Sequence, residues 1–363
     1  MLPLTMHVEF VRLSKAQRRL PKIVTSGYRL PPSPSTSNCH SPSPQDEIDI
    51  GAFSLPSDRH LGPALNVTGA VVHTILPYLR PSKLHRYAHA KNGPPWALVT
   101  GASVGIGAAF CHQLAAAGFN IILHGRNAEK LSRVQHELET AFPHGQFRTL
   151  IADCTDVSPA AFESITSQVS DLNLTLLVNN AGGLPTSLNS TFKPAHAYTH
   201  SELTSVISLN ATFPTLLTSS LLPLLIANSP SLVITIGSLS DNGLPLISAY
   251  GSTKSYLSTF AQALSREMRM DGHDVQVLHL RLGSVTGVAH TWTKPGVFLP
   301  HATEVVRAGL GMVGCGRTVV VPWWGHKLQA VAVEWMGRAK DRVFMDEMAR
   351  LRREGLNGER KKE

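Results

Sequence analysis

From residue 96 to about residue 321 short apolar runs alternate with longer stretches of helical period. The runs are WALVT (96–100), NIILH (120–124), FRTLIA (147–152), LTLLVN (174–179), SLVITIG (231–237), VQVLHL (275–280) and TVVVP (318–322). Each is almost continuously apolar, as a strand is when both faces of its sheet are covered. Most of the intervening stretches are long enough for one helix. This β/α alternation predicts an α/β fold with a doubly wound parallel sheet, Rossmann-type and a single domain over 95–325.

The flanks read differently. Residues 1–60 include LPPSPSTSNCHSPSP, rich in Ser and Pro and without apolar period. That composition predicts a disordered basic tail. The first 30 residues carry several cations and one acid, Glu9, a balance shared by transit peptides and by plain solvated tails. Residues 61–79, LGPALNVTGAVVHTILPYL, are apolar but hold Pro63, Asn66, Thr68, His73, Thr74 and Pro77. A spanning helix needs about 20 mostly apolar residues, so an interfacial or domain-packed segment is expected over 61–94. LRPSKLHRY adds a basic collar. At the other end, residues 326–363 predict one long amphipathic basic helix and a tail. Leu328, Val331, Trp335, Val343, Phe344 and Met348 share a face that suits the domain, a second subunit in a homodimer, or a membrane surface.

Charge and cysteine usage narrow the function classes. Net charge is +8 over 363 residues, and it lies in the flanks: +6 over residues 1–91 and +3 over 325–363, against −1 between them. The near-neutral middle lacks the basic stripe that nucleic acid requires, so no nucleic-acid partner is expected. The four cysteines, Cys39, Cys111, Cys154 and Cys315, have no metal-ligand spacing and read as free thiols facing a reducing compartment. No pair among the 17 histidines has metal spacing within one element, so no catalytic metal is expected.

Candidate chemistry begins at WALVTGASVGIGAAFCHQLAAAGFNIILHGRN. A strand runs into Gly101, Gly105 and Gly107, then come a helix and a second strand. Glycines there permit a tight turn and let a pyrophosphate approach the backbone at the helix N-terminus. Ser103 and Ile106 lie in the same turn. An NAD site usually carries an acid at the end of the second strand. This chain has Gly125 and Arg126 instead, and Arg126 suits a 2′-phosphate. The cofactor expected is NADP(H).

A second constellation is SAYGSTKSYLSTF, Ser248–Phe260. Tyr250 and Lys254 fall on one helix face. An ammonium beside a phenol lowers its pKa from about 10 and fits it for proton transfer. Tyr256, six positions on, points about 120° away and reads as packing.

Together TGASVGIG (100–107), NNAG (179–182), SLN ending at Asn210, IGS ending at Ser238 and YGSTK (250–254) resemble, in order, the short-chain dehydrogenases/reductases over roughly residues 95–325. The resemblance implies a catalytic set of Ser238, Tyr250, Lys254 and Asn210. Tyr250 would give a proton to a carbonyl oxygen, Ser238 would polarise that oxygen, and Asn210 would hold a water linking Lys254 to solvent. It further implies that Asn180, Asp153, Gly283 and Thr286, with Tyr250 and Lys254, bind the cofactor. For Asp153, capping the SPAAF helix is an equal alternative.

Two departures stand out. Ser238 and Tyr250 are one position closer than the family usually has them, with Ser240 as a rival hydroxyl. Leu282 also stands where a proline often precedes Gly283. The apolar lead-in, GPPWALVTGAS, GFNIILHGRN and the basic C-terminal helix resemble the 17β-hydroxysteroid dehydrogenase/very-long-chain 3-oxoacyl-CoA reductase branch. That branch implies NADPH-dependent reduction of a ketone on a hydrophobic small-molecule or acyl-CoA substrate. The apolar loop at 284–300, with Trp292 and Phe298, suits such a substrate. The branch also implies the cytosolic face of the endoplasmic reticulum membrane, to which the terminal RKKE adds a loose likeness to a retrieval tail. A soluble cytoplasmic reductase of another carbonyl, or a non-catalytic NADP-binding scaffold, are the competing readings.

Overall fold

A computed structural model describes residues 75–184, 192–288 and 293–360. The expected disordered tail, residues 61–74 and Trp292 lie outside the described residues. The sheet has seven parallel strands: β1 (Pro95–Thr100), β2 (Asn120–Gly125), β3 (Phe147–Ile151), β4 (Asn173–Asn179), β5 (Ser231–Ser238), β6 (Val275–Leu282) and β7 (Val319–Val320), in the order β3-β2-β1-β4-β5-β6-β7. All seven match the apolar runs. β7 is shorter than its run: Val319 and Val320 alone pair with β6, at His279 and Leu280.

Helices cover both faces. On one, α1 (Gly105–Ala116), α2 (Ala128–Ala141) and α7 (Ala302–Gly311) bury Phe110, Leu114, Leu131, Leu138, Val306 and Leu310 against β1, β2, β4, β5 and β6. On the other, α3 (Pro159–Ser167), α5 (Phe213–Ala227) and α6 (Ser248–Met270) bury Phe162, Phe213, Leu217, Leu221, Leu264 and Met268. Two cores divided by one sheet explain why the strands read as unbroken apolar runs rather than as alternations. α4 (His200–Ile207) joins α5 through a π turn at Ser208–Thr212. The resulting run His200–Ala227 is, among the described residues, long and apolar enough to cross a membrane, but its inner face forms the second core.

The lead-in is fastened to the sheet from Tyr78 onward. Tyr78 donates to Val321 O, Ser82 to Leu310 O and Arg80 to Cys315 O. The buried Tyr87 donates to Gln276 Oε1, and Thr175 donates back to Tyr87 O. Cys111, Cys154 and Cys315 are buried free thiols, as expected.

The predicted single C-terminal helix is two: α8 (Trp324–Trp335) and α9 (Ala339–Arg360). Gly337 between them has φ 52°, a left-handed conformation that ends a helix and that glycine adopts without penalty. The predicted apolar face is divided too. Met348 is buried, whereas Leu328, Trp335 and Val343 stay exposed, Trp335 at 87%.

Candidate active site

The glycine turn is enforced by close contacts. Gly101 and Gly105 have φ 66° and 65°. A Cβ on Gly107 would stand 2.1 Å from Gly101 O, so only glycine fits this first turn of α1. Asn180 holds the turn from below, its Nδ2 donating to Thr100 O at 2.8 Å and to Gly101 O at 3.2 Å. Thr100 Oγ1 accepts from Asn180 N and Ala181 N, both at 2.9 Å. Asn180 thus shapes the turn expected to receive the cofactor. Val104, the N-cap of α1, offers no side-chain cap, which leaves the first N–H groups of the helix suited to an anion. The glycine cradle and the uncapped helix fit a dinucleotide pyrophosphate. Ser103 is partly exposed in the turn, and Ile106 packs on the first core.

Arg126 is exposed directly after β2. Asp153 follows β3, and its Oδ1 accepts from Thr155 N at 2.8 Å and Thr155 Oγ1 at 2.9 Å. The capping alternative for Asp153 is corrected: Ser158 caps α3, accepting from Ala161 N, because Asp153 is spent on its own turn two residues on.

The expected catalytic side chains meet at the carboxyl ends of β4 and β5. Ser238 ends β5, and Tyr250 and Lys254 lie on the first two turns of α6. Ser238 lies close enough to the Tyr250 phenol to influence its acidity. Lys254 is buried, its Nζ donating to Ile236 O at 3.0 Å and standing 5.5 Å from the centre of the Tyr250 ring. The π turn aims the fully buried Asn210 at the backbone after β4. Its Oδ1 accepts from Gly183 N at 2.8 Å, and its Nδ2 donates to Gly183 O at 2.7 Å. A Cβ on Gly182 would lie 2.9 Å from Asn210 Oδ1 and 3.1 Å from Lys254 Nζ. The glycine of NNAG is therefore where Asn210 and Lys254 converge.

The electrostatics depart from expectation. Desolvation pushes the Tyr250 phenol above its ordinary value, with the Ser238 hydroxyl opposing. The Lys254 ammonium is bonded to Ile236 O and stands over the Tyr250 ring. Burial in turn draws Lys254 down to about 8, so it is mostly charged at neutral pH.

Several groups that support the site were not legible in the motifs. Ser240, the rival hydroxyl, touches Ser238 rather than replacing it: its Oγ lies 2.9 Å from Ser238 Oγ, and its N donates there at 3.2 Å. Asp241 beside it takes a bidentate bond from Arg281 of β6, with Nε and Nη2 each at 2.6 Å. Ser255 of α6 donates to Asp241 O at 2.7 Å. The shortened loop strains one residue: Leu246, at φ 65°, is the one non-glycine among the described residues with positive φ. Histidines expected in loops and flanks also stand in the core at His124, His279 and His326. Burial draws His124 down to about 4 and His279 to about 3, so both are neutral there. Among the described residues no His/Cys/Asp/Glu group could hold a metal.

After β6, Gly283 abuts the ring of His326. Thr286 is buried, donating to Thr293 O at 2.7 Å and accepting from Thr293 N at 3.1 Å. Its hydroxyl thus ties the loop to itself. Tyr256 stacks on Phe260 as expected of a packing residue, yet stays 47% exposed in a surface groove with Ile207, Thr215 and Leu216.

A parallel doubly wound sheet, a glycine turn at a helix N-terminus and a Ser–Tyr–Lys cluster beside it define a nicotinamide-dependent oxidoreductase acting on CH–OH/C=O. The chain belongs to the short chain dehydrogenase family, whose model matches residues 95–294. A very-long-chain 3-oxoacyl-CoA reductase of Ajellomyces capsulatus is 31% identical over 256 residues, 67% of this chain and 73% of that protein. One of Laccaria bicolor is 30% identical over 299 residues, 76% of this chain and 86% of that protein. Among solved structures, a metagenomic short-chain oxidoreductase in complex with NADP is 26% identical, with a TM-score of 0.52 over 62% of this chain and 96% of its own. A 7beta-hydroxysteroid dehydrogenase shares the fold, with a TM-score of 0.61 at 20% identity over 70% of this chain and 97% of its own.

Proposed function

We propose that this protein reduces a ketone to a secondary alcohol on a hydrophobic substrate of the 3-oxoacyl-CoA type, using NADPH. The observation that carries the reading is the convergence of Ser238, Tyr250, Lys254 and Asn210 next to the glycine turn. Bound NADPH supplies the hydride. Gly101, Ser103, Gly105, Ile106 and Gly107 would hold its pyrophosphate, Arg126 its 2′-phosphate and Asp153 its adenine end. Gly283 and Thr286 would hold the nicotinamide end.

Tyr250 gives its proton to the carbonyl oxygen as the carbonyl carbon is reduced. A phenol held above its ordinary pKa is protonated at neutral pH, the form that donation requires. Ser238 donates to the same oxygen and stabilises the charge that develops there. Lys254 stays charged beside the ring, and with Asn210 it returns a proton from solvent to Tyr250. The acyl-CoA class is favoured over other ketones by two relatives of that activity at about 30% identity.

The catalytic domain spans 95–325, and the segments either side serve attachment. The cytosolic face of the endoplasmic reticulum membrane is the favoured location. Ile75, Leu76 and Leu79 of the lead-in and Trp324 and Leu328 of α8 are all exposed. Pro77 and Tyr78 line one cavity with Lys327, which makes the two apolar segments neighbours. Recovery of the full chain wholly in the soluble fraction contradicts that placement.

The activity is tested by NADPH oxidation with 3-oxoacyl-CoA, steroid ketones and short ketones. Turnover with the first above the others is expected; turnover with steroid or short ketones alone overturns the substrate class. Arg126→Ala should weaken NADPH binding and leave NADH binding nearly unchanged. Equal losses for both would overturn the role given to Arg126.

A further inference from the structure

We infer that the cavity between the lead-in, β7 and α8 is a binding site for a phosphate group. The inference deepens the proposed attachment, and it rests on that reading only in favouring a lipid as the carrier of the phosphate.

The cavity holds about 80 Å³. That volume admits a small polyatomic anion and not a nucleoside or an acyl chain. Of the described residues lining it three, Arg281, Arg317 and Lys327, are cations and none is an acid. They come from the end of β6, the segment before β7 and the first turn of α8. Tyr78 of the lead-in lines the same space, its hydroxyl donating to Val321 O. Burial pushes that phenol up to about 12, with the Arg317 charge opposing the rise. The phenol is therefore neutral and supplies no counter-charge to the cations.

Cations gathered around one small space repel one another, and all three are half-buried, where solvent screens them less. Asp241 offsets one of them, accepting from Nε and Nη2 of Arg281. Lys327 enters no ion pair among the described residues. A tetrahedral dianion supplies the balancing charge and several acceptors at once. The planar fork of an arginine takes two phosphate oxygens, and a lysine adds a point charge on a third.

The lining residues adjoin exposed apolar ones. Leu76 and Leu79 flank Pro77 and Tyr78, while Trp324 and Leu328 accompany Lys327 on α8, and all four are exposed. A lipid presents its phosphate in this setting, with the charge at the surface and the acyl chains alongside. The phosphates of coenzyme A share the chemistry but make no use of the apolar neighbours.

The test uses the full-length protein and sedimentation with phosphatidylcholine vesicles, with and without phosphatidic acid. The wild type should prefer the vesicles that hold phosphatidic acid. Lys327→Gln and Arg317→Gln should each weaken that preference about tenfold, the scale of one charged hydrogen bond, with NADPH affinity unchanged. Lys340→Gln and Arg342→Gln, which remove the same charge from exposed positions on α9, should alter it by less than about twofold. The second arm titrates coenzyme A and inorganic phosphate into the same proteins. A vesicle preference that depends on Lys327 and Arg317 marks a lipid as the carrier. No such preference, with coenzyme A affinity weakened in both variants, marks the coenzyme as the carrier instead. Unchanged vesicle preference and unchanged coenzyme A affinity in both variants overturn the inference, as do equal losses at all four positions. If Arg317→Gln does not fold, Lys327→Gln and Lys327→Glu decide, and wild-type behaviour in both overturns the inference. Vesicle binding without dependence on these residues in either arm leaves the attachment standing and removes the site. Absence of vesicle binding, with coenzyme A affinity still dependent on Lys327, removes the attachment and leaves the site.

Discussion

The two halves of the site are built by different means. The nucleotide half, from β1 through the glycine turn to α1, is held by backbone and by the absence of side chains. Gly107 leaves room for Gly101 O, and Asn180 and Thr100 bind main-chain atoms next to β1 and β4. The reaction half, at the ends of β5 and β6, is held by side chains drawn from distant parts of the chain: Arg281 on Asp241, Ser240 on Ser238, His326 on Gly283. The first arrangement tolerates almost no added atom. The second tolerates loss more gradually, and it is where reactivity can be adjusted without losing the nucleotide.

Substitutions on either side should separate the halves. Gly107→Ala has the largest expected effect. The new methyl meets Gly101 O, NADPH binding is lost, and stability falls by about 2–3 kcal/mol, as for an overpacked core; titration of the cofactor and thermal unfolding measure both. Asp241→Asn comes next. It leaves Arg281 without its charged partner in a site where the two side chains are 19% and 7% exposed. Breaking such a pair costs about 2–3 kcal/mol after allowance for the solvent at Arg281. Here kcat should fall while NADPH affinity is kept, and a fall in affinity instead would erase the distinction between the halves.

Acidity sharpens the same contrast. Lys254 is drawn from 10.5 down to about 8, so its charge is present below pH 8 and lost above it. kcat/KM for reduction should therefore decline as pH rises through about 8, with NADPH binding at the glycine turn less affected. Lys254→Arg should remove that decline within the range where the protein is folded. The smallest effect is expected from Ser240→Ala. It removes one neutral hydrogen bond to Ser238, so kcat should drop about fivefold with no change in NADPH affinity.

Legibility in the sequence follows this division. The seven strands, the two-sided burial and the glycine turn could be read because each is encoded by neighbouring residues. The Tyr250–Lys254 spacing could be read because a helix brings positions four apart together. The supports of the reaction half were not legible. Arg281 lies 40 positions from Asp241, and His326 lies 43 positions from Gly283. Nothing local marks either residue as more than a surface arginine or a flank histidine. The break at Gly337 could have been found, since a glycine inside a helical pattern is a stop signal. The unexpected direction of the Tyr250 pKa could not, because it depends on how far the folded chain desolvates the phenol.

The central claim is that Tyr250 is the proton donor of a site whose nucleotide half is independent of it. It is tested most directly by Tyr250→Phe, with NADPH binding and turnover of a 3-oxoacyl-CoA measured on the same preparation. The ring stays and one hydroxyl is removed, so NADPH should bind within about twofold of wild type while kcat falls by about a thousandfold, the scale of a lost general acid. Turnover near the wild-type rate with NADPH bound would contradict the account.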